Sequence, residues 1–182
     1  MKTLIIHPSD PSTSFLDSVY APIKNKTVLT GGITKSEVRI QIEKHNRVLM
    51  MGHGSPYGLF SMGQFQNTYG GYVIDETMVD LLKMKKQCLF LWCNADEFVH
   101  EHQLSGLYSG MFISEKMEAI YCGVGADHSD IEESNTRFVE ILASCIESDN
   151  GTIYRNLMKR YRKVGDRNPV VTYNHQRLYY RP

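Results

Sequence analysis

The chain has 182 residues, enough for one domain with a substantial buried core. Hydrophobic residues make up 42% and charged residues 22%, a balance typical of a globular protein rather than a disordered one. Lys and Arg number 20 and so do Asp and Glu, so no global attraction to nucleic acid or an anionic membrane is expected.

In chain order, residues 3–6 read as a strand turning at His7-Pro8, too short and too soon interrupted for a secretory signal. Residues 27–29 are a second candidate strand. Thr34 and Glu37 have capping-box spacing, and Val38 and Ile42 then share a helical face. Val48-Leu49-Met50-Met51, within 47–52, is the continuous apolar run of a strand covered on both faces. The glycine- and aromatic-rich stretch 52–72 predicts loops and a small hairpin. Asp75 caps a helix carrying Met78, Val79, Leu81 and Leu82, and residues 88–92 form another wholly apolar strand. Leu104, Leu107, Tyr108, Met111 and Phe112 have helical spacing, and residues 119–124 read as a further central strand. Ser129 and Glu132 predict a second capping box, with Ile131, Phe138, Leu142 and Cys145 along one face. Thr152 caps the last helix, which Gly165 ends; residues 170–173 and 177–180 predict a terminal strand or hairpin.

No internal repeat or linker divides the chain, so residues 1–182 are read as one α/β domain. Strands alternating with helices imply a mostly parallel sheet covered on both faces, a three-layer α/β/α sandwich. The carboxyl ends of such strands share one edge, where ligands bind. No run approaches the roughly 18 apolar residues of a membrane span. Four cysteines without CxxC spacing suit a reducing compartment, and a cytoplasmic protein is expected. The basic run 155–167, interleaved with Leu157 and Met158, reads as the solvated face of a helix rather than a nucleic-acid patch.

Two apolar runs end in reactive side chains: Val48-Leu49-Met50-Met51-Gly52-His53-Gly54 and Leu89-Phe90-Leu91-Trp92-Cys93-Asn94. One helix-like crossover separates them, which predicts neighbouring parallel strands with His53 and Cys93 at one edge. Cysteine attacks as thiolate, and an imidazole beside it lowers its pKa or carries its proton. The amides of Gly54 and Cys93 are candidates for an oxyanion hole.

This pair, His-Gly after one apolar block and Cys after the next about forty residues on, resembles the caspase-like cysteine peptidases, a group that includes caspases, gingipains, clostripain and CHAT-domain proteases. The resemblance implies a caspase-like fold and a His53–Cys93 dyad with the Gly54 and Cys93 amides as oxyanion hole. It also implies a thioester acyl-enzyme, a peptide or protein substrate, and no metal or other cofactor. Many members place a small residue before the Cys, whereas this chain has Trp92, which would crowd the site. Members of the group often cut after Asp, Arg or Lys. A basic side chain would need an acidic pocket, for which Asp96, Asp127 and Asp130 are the candidates. The aromatic stretch 55–71 forms a wall or lid over the site, or an ordinary hairpin.

A metal reading rests on Asp96, Glu97, His100 and His102, whose spacing fits no recognised zinc pattern. No phosphate loop or Gly-x-Ser-x-Gly elbow is present. The rival to an enzyme is a silent caspase-like domain acting as a binding or scaffold module, with a protein partner or a second copy of the chain.

Overall fold

The computed structural model describes residues 2–182. β1 (Thr3–Ile6) is followed by a 3-10 turn (Pro11–Leu16), α1 (Asp17–Tyr20), β2 (Lys26–Leu29), α2 (Lys35–Glu43) and β3 (Arg47–Met51). A small antiparallel sheet then intervenes, made of β4 (Gly54–Ser55), β5 (Gly58–Phe60) and β6 (Tyr72–Ile74). The chain continues through α3 (Val79–Lys83), β7 (Gln87–Leu91), α4 (Ala95–Glu101), β8 (Gly106–Ser109), α5 (Lys116–Tyr121) and α6 (His128–Cys145). It closes with α7 (Asn150–Arg160), α8 (Pro169–His175) and β9 (Leu178–Arg181). The central six-stranded sheet has the order β2-β1-β3-β7-β8-β9 and is parallel except for β9, which runs antiparallel to β8.

The central strands are apolar on both faces because helices cover both. Leu4, Ile6, Val48, Met50, Cys88 and Phe90 point to a core shared with Val38 and Ile42 of α2, Leu81 and Leu82 of α3, and Phe98 and Val99 of α4. The alternate residues Ile5, Leu49, Met51, Leu89, Leu91 and Leu107 meet α1, α6, α7 and α8 through Val19, Phe138, Leu142, Ile153, Leu157 and Val171. This period-2 division is what a pleated strand buried between two layers requires. The architecture is thus a three-layer α/β/α sandwich around a mostly parallel sheet.

Because β2 and β3 lie on opposite sides of β1, the winding reverses between β1 and β3. Such a reversal opens a crevice outside the carboxyl ends of the strands, the usual ligand position in open α/β sheets. The segments after β1, β3 and β7 all emerge there.

Several elements depart from the sequence expectation. Residues 119–124, predicted as a strand, lie largely in helix α5 and the turn after it. The helical spacing from Leu104 to Phe112 belongs instead to β8, buried along its whole length. Residues 170–173 lie in helix α8, where Pro169 occupies the first turn and the Asn168 side chain accepts from the Val170 and Val171 amides. The capping box of α6 is formed by Asp127 and Asp130 rather than by Ser129 and Glu132. Asp149, not Thr152, caps α7, and that helix ends at Arg160, before Gly165. On α7 the basic Arg155, Lys159 and Arg160 are exposed while Ile153 and Leu157 are buried. No helix among the described residues is long and apolar enough to cross a membrane.

Candidate active site

β3 and β7 pair in parallel with Met51 opposite Leu91, and the Gly52 amide still donates to the Leu91 carbonyl at 3.1 Å. His53 and Cys93 therefore leave the sheet at equivalent positions, each two residues past the last strand residue. Asn94 turns the chain sharply after the cysteine with φ 64° and ψ 29°, a left-handed conformation that Asn tolerates better than most residues. After His53 the chain folds back into the β4–β5 hairpin.

His53, Gly54 and Cys93 line one open groove of about 480 Å³ together with Phe60, Met62, Met111, Glu118 and Tyr121. A second, smaller chamber of about 40 Å³ is lined by His53 and Cys93 together with Phe15, Leu16, Leu91, Phe112 and Phe138. The Phe60 amide donates to the His53 carbonyl at 2.9 Å, so Gly54 is the alternate residue of β4 and directs its own amide away from β5, along the free edge of the small sheet. The Cys93 amide has no acceptor among the described residues. The Gly54 and Cys93 amides are thus candidates for binding a carbonyl oxygen in the groove that both residues line.

Trp92 does not crowd the groove in the way its bulk suggests. Its ring is 2% exposed, lies edge-on to Phe90 and Phe98, and donates through Nε1 to the Ser55 carbonyl at 3.1 Å. It sits directly on Gly54, where a Cβ would come within 2.2 Å of Trp92 Cδ1. The glycine after His53 is therefore required by packing as well as by access.

The cysteine is held on its inner side. Cys93 Sγ lies 3.5 Å from the Phe112 carbonyl and 3.5 Å from Glu118 Oε1, both acceptors for the thiol proton. Burial, and after it the Glu118 charge, pushes the thiol up to about 12. The other Glu118 oxygen accepts from the Ser114 amide at 2.6 Å, the Ser114 hydroxyl at 2.9 Å and the Glu115 amide at 3.1 Å, so this carboxylate also closes the first turn of α5.

The histidine is held from the opposite direction. Its Nε2 lies 2.6 Å from Ser12 Oγ and 3.5 Å from Asp10 Oδ1. Asp10 caps the 3-10 turn after β1 and accepts from both the amide and the hydroxyl of Ser12. The Ser12 hydroxyl holds the Asp10 carboxyl below its usual range. His53 and Cys93 make no hydrogen bond to each other among the described residues.

Asp96, Asp127 and Asp130 line neither cavity. Asp127 and Asp130 cap α6, and Asp96 lies in the first turn of α4 against Gly110. The carboxylate brought to the site is Glu118, and the residues brought there from the first loop are Asp10 and Ser12; sequence reasoning singled out none of the three. Asp10-Pro11 did carry the signature of a turn cap, though nothing local ties it to His53. The stretch 55–71 divides its aromatics: Phe65 is buried, Phe60 lines the groove, and Tyr57 and Tyr69 are exposed. No group of three or more His, Cys, Asp or Glu side chains among the described residues is placed to hold a metal ion. His100 Nε2 is bonded to Tyr108 Oη at 3.0 Å, and His102 lies edge-on to Phe98.

No protein-family model, curated protein or solved structure matches the chain.

Proposed function

We propose that this protein is a caspase-like cysteine endopeptidase acting through His53 and Cys93. The observation that carries the reading is that the two side chains emerge at equivalent register from adjacent parallel strands and line one open groove with Gly54. In the proposed reaction the Cys93 thiol gives its proton to His53 as sulfur attacks the scissile carbonyl carbon. The oxyanion rests on the Gly54 and Cys93 amides. His53 then protonates the leaving amine, the C–N bond breaks and a thioester remains. Water attacks the thioester while His53 takes its proton; the C–S bond breaks, releasing the acid, and the proton returns to sulfur.

The groove walls suit an extended peptide with apolar side chains beside the cleaved bond, since Phe60, Met62, Met111 and Tyr121 line it. A basic side chain finds only Glu118, already committed to α5 and the thiol. A catalytically silent binding module is the second reading, favoured by the protonated, inward-held thiol.

Hydrolysis of a fluorogenic peptide panel, varied at the residue before the scissile bond, separates the two. Cleavage by wild type that disappears in Cys93→Ala supports the peptidase. Equal silence from both, with Cys93 also inert to a peptidyl electrophile, supports the binding module.

A further inference from the structure

The loop after β1 converges on His53 although it lies about forty residues away in sequence. Its position is fixed from below. The His7 and Ser9 amides donate to the Leu29 and Thr30 carbonyls at 3.0 and 2.9 Å, extending the β1–β2 pairing up to Asp10. The buried His7 ring ties the following turn down through Thr13 Oγ1 and Tyr20 Oη, both at 3.2 Å. Asp10 and Ser12 are thus held against His53 by the sheet rather than by a free loop.

The proton count at this cluster has one solution. Ser12 has a single hydroxyl proton, and its oxygen touches both Asp10 Oδ1 and His53 Nε2. An ionised carboxylate only accepts, so the hydroxyl proton goes to Asp10. The Ser12 oxygen then faces His53 as an acceptor, and Nε2 must carry the hydrogen. His53 Nδ1 has no hydrogen-bond partner among the described residues. A neutral ring protonated at Nε2 keeps its basic lone pair on Nδ1.

We infer that Asp10 and Ser12 are positioning residues that lock neutral His53 in the Nε2–H tautomer and reserve Nδ1 to take the Cys93 proton. The catalytic part of this inference rests on the proposed peptidase reading; the tautomer does not. The same geometry argues against Ser12 as a nucleophile. In a Ser-His-Asp triad the acid orients the ring nitrogen opposite the serine, whereas here Asp10 and Ser12 meet the same nitrogen.

The test is the ¹⁵N spectrum of the His53 ring in the full chain, at a pH where the ring is neutral, assigned by the resonances lost in His53→Gln. Wild type is expected to show hydrogen on Nε2. Asp10→Asn, which still accepts from Ser12, keeps that tautomer. Asp10→Ala frees the Ser12 hydroxyl to donate to Nε2 and moves the hydrogen to Nδ1. Hydrogen on Nδ1 in wild type overturns the inference without any variant, and an unchanged Nε2–H form in a folded Asp10→Ala overturns it equally. These outcomes need no turnover, so they stand apart from any failure of the peptidase reading. On any peptide that wild type cleaves, Asp10→Ala should lower kcat roughly 10- to 100-fold at unchanged KM, with Asp10→Asn restoring most of it. A change confined to KM would instead assign Asp10 to substrate binding and overturn its positioning role.

Discussion

His53 and Cys93 stand at the same register on neighbouring strands, yet the two ends of the pair are prepared in opposite senses. The histidine is braced at Nε2 by Ser12 and Asp10, and its other nitrogen is unengaged among the described residues. The cysteine is braced at its sulfur, between the Phe112 carbonyl and the Glu118 carboxylate, and burial together with the Glu118 charge favours the protonated thiol. The surroundings differ as well. His53 is served by the polar Asp10–Ser12 turn, whereas the sulfur meets the Phe112 carbonyl and Glu118 in the chamber that both residues line. On the proposed peptidase reading this arrangement is a resting state, in which proton transfer from Cys93 to His53 accompanies release of sulfur from Glu118.

The largest effect expected is on the proposed chemistry. His53→Ala and Cys93→Ala should each lower peptide hydrolysis by about 10²- to 10⁴-fold or more, measured as kcat on the best peptide of the panel. Retained turnover in either would remove the dyad from consideration.

Next in size is the chamber that restrains the sulfur. Phe138 is buried between Phe112 and Tyr161, with ring centroids 4.9 and 5.6 Å away, and belongs to both the core and the chamber wall. Phe138→Ala should cost about 3–5 kcal/mol in urea unfolding. It should also speed alkylation of Cys93 by admitting water and reagent. Full loss of stability with no change in alkylation would mean that the wall does not control the thiol.

The contrast itself is sharpened by Glu118→Gln. Glutamine still accepts from the Ser114 and Glu115 amides and so keeps the start of α5, but it removes the charge beside the sulfur. Iodoacetamide alkylation of Cys93 near pH 8 should rise about tenfold, one pKa unit being worth 1.36 kcal/mol. Burial remains the larger cause, so the thiol should stay above the ordinary range. An unchanged rate would leave burial as the whole explanation.

The smallest effect concerns the support beneath His53. Burial holds the His7 ring below its usual range, against the opposing pull of Asp17. The folded chain keeps His7 neutral where the unfolded chain takes up a proton. Its contribution to stability is therefore complete above the unfolded value of 6.5 and is lost as pH falls below it towards the folded value. The stability difference between wild type and His7→Gln should shrink on going from pH 7.5 to 5.5, read from urea midpoints. A pH-independent difference would place the His7 role in packing alone.

Much of the frame was legible beforehand because its signals are local. The continuous apolar runs ending at Met51 and Leu91 can only be satisfied between two covering layers, and both became central strands. Thr34 with Glu37 formed the capping box that its spacing predicts. Short apolar stretches misled where periodicity is ambiguous. Residues 119–124 look like a strand, yet α5 is started by the Glu115–Glu118 box and buries little beyond Ala119. Leu104 to Phe112 look helical, but Leu107 and Tyr108 are paired to β7 on one side and β9 on the other.

For the candidate site, the sequence by itself determined that His53 and Cys93 follow strand-like runs and that Gly54 stands beside the histidine. Only the tertiary structure decided which side chains surround them. Asp10 and Ser12 arrive because β1 lies next to β3, and Glu118 because α5 returns over the carboxyl edge of the sheet. The aspartates chosen from their places near predicted strand ends went to helix capping, as Asp127 and Asp130 show. The reason is physical. Strand and cap signals act over a few residues through backbone hydrogen bonding and side-chain period, whereas a site is assembled by strand order, to which residues widely separated in sequence contribute without any local pattern.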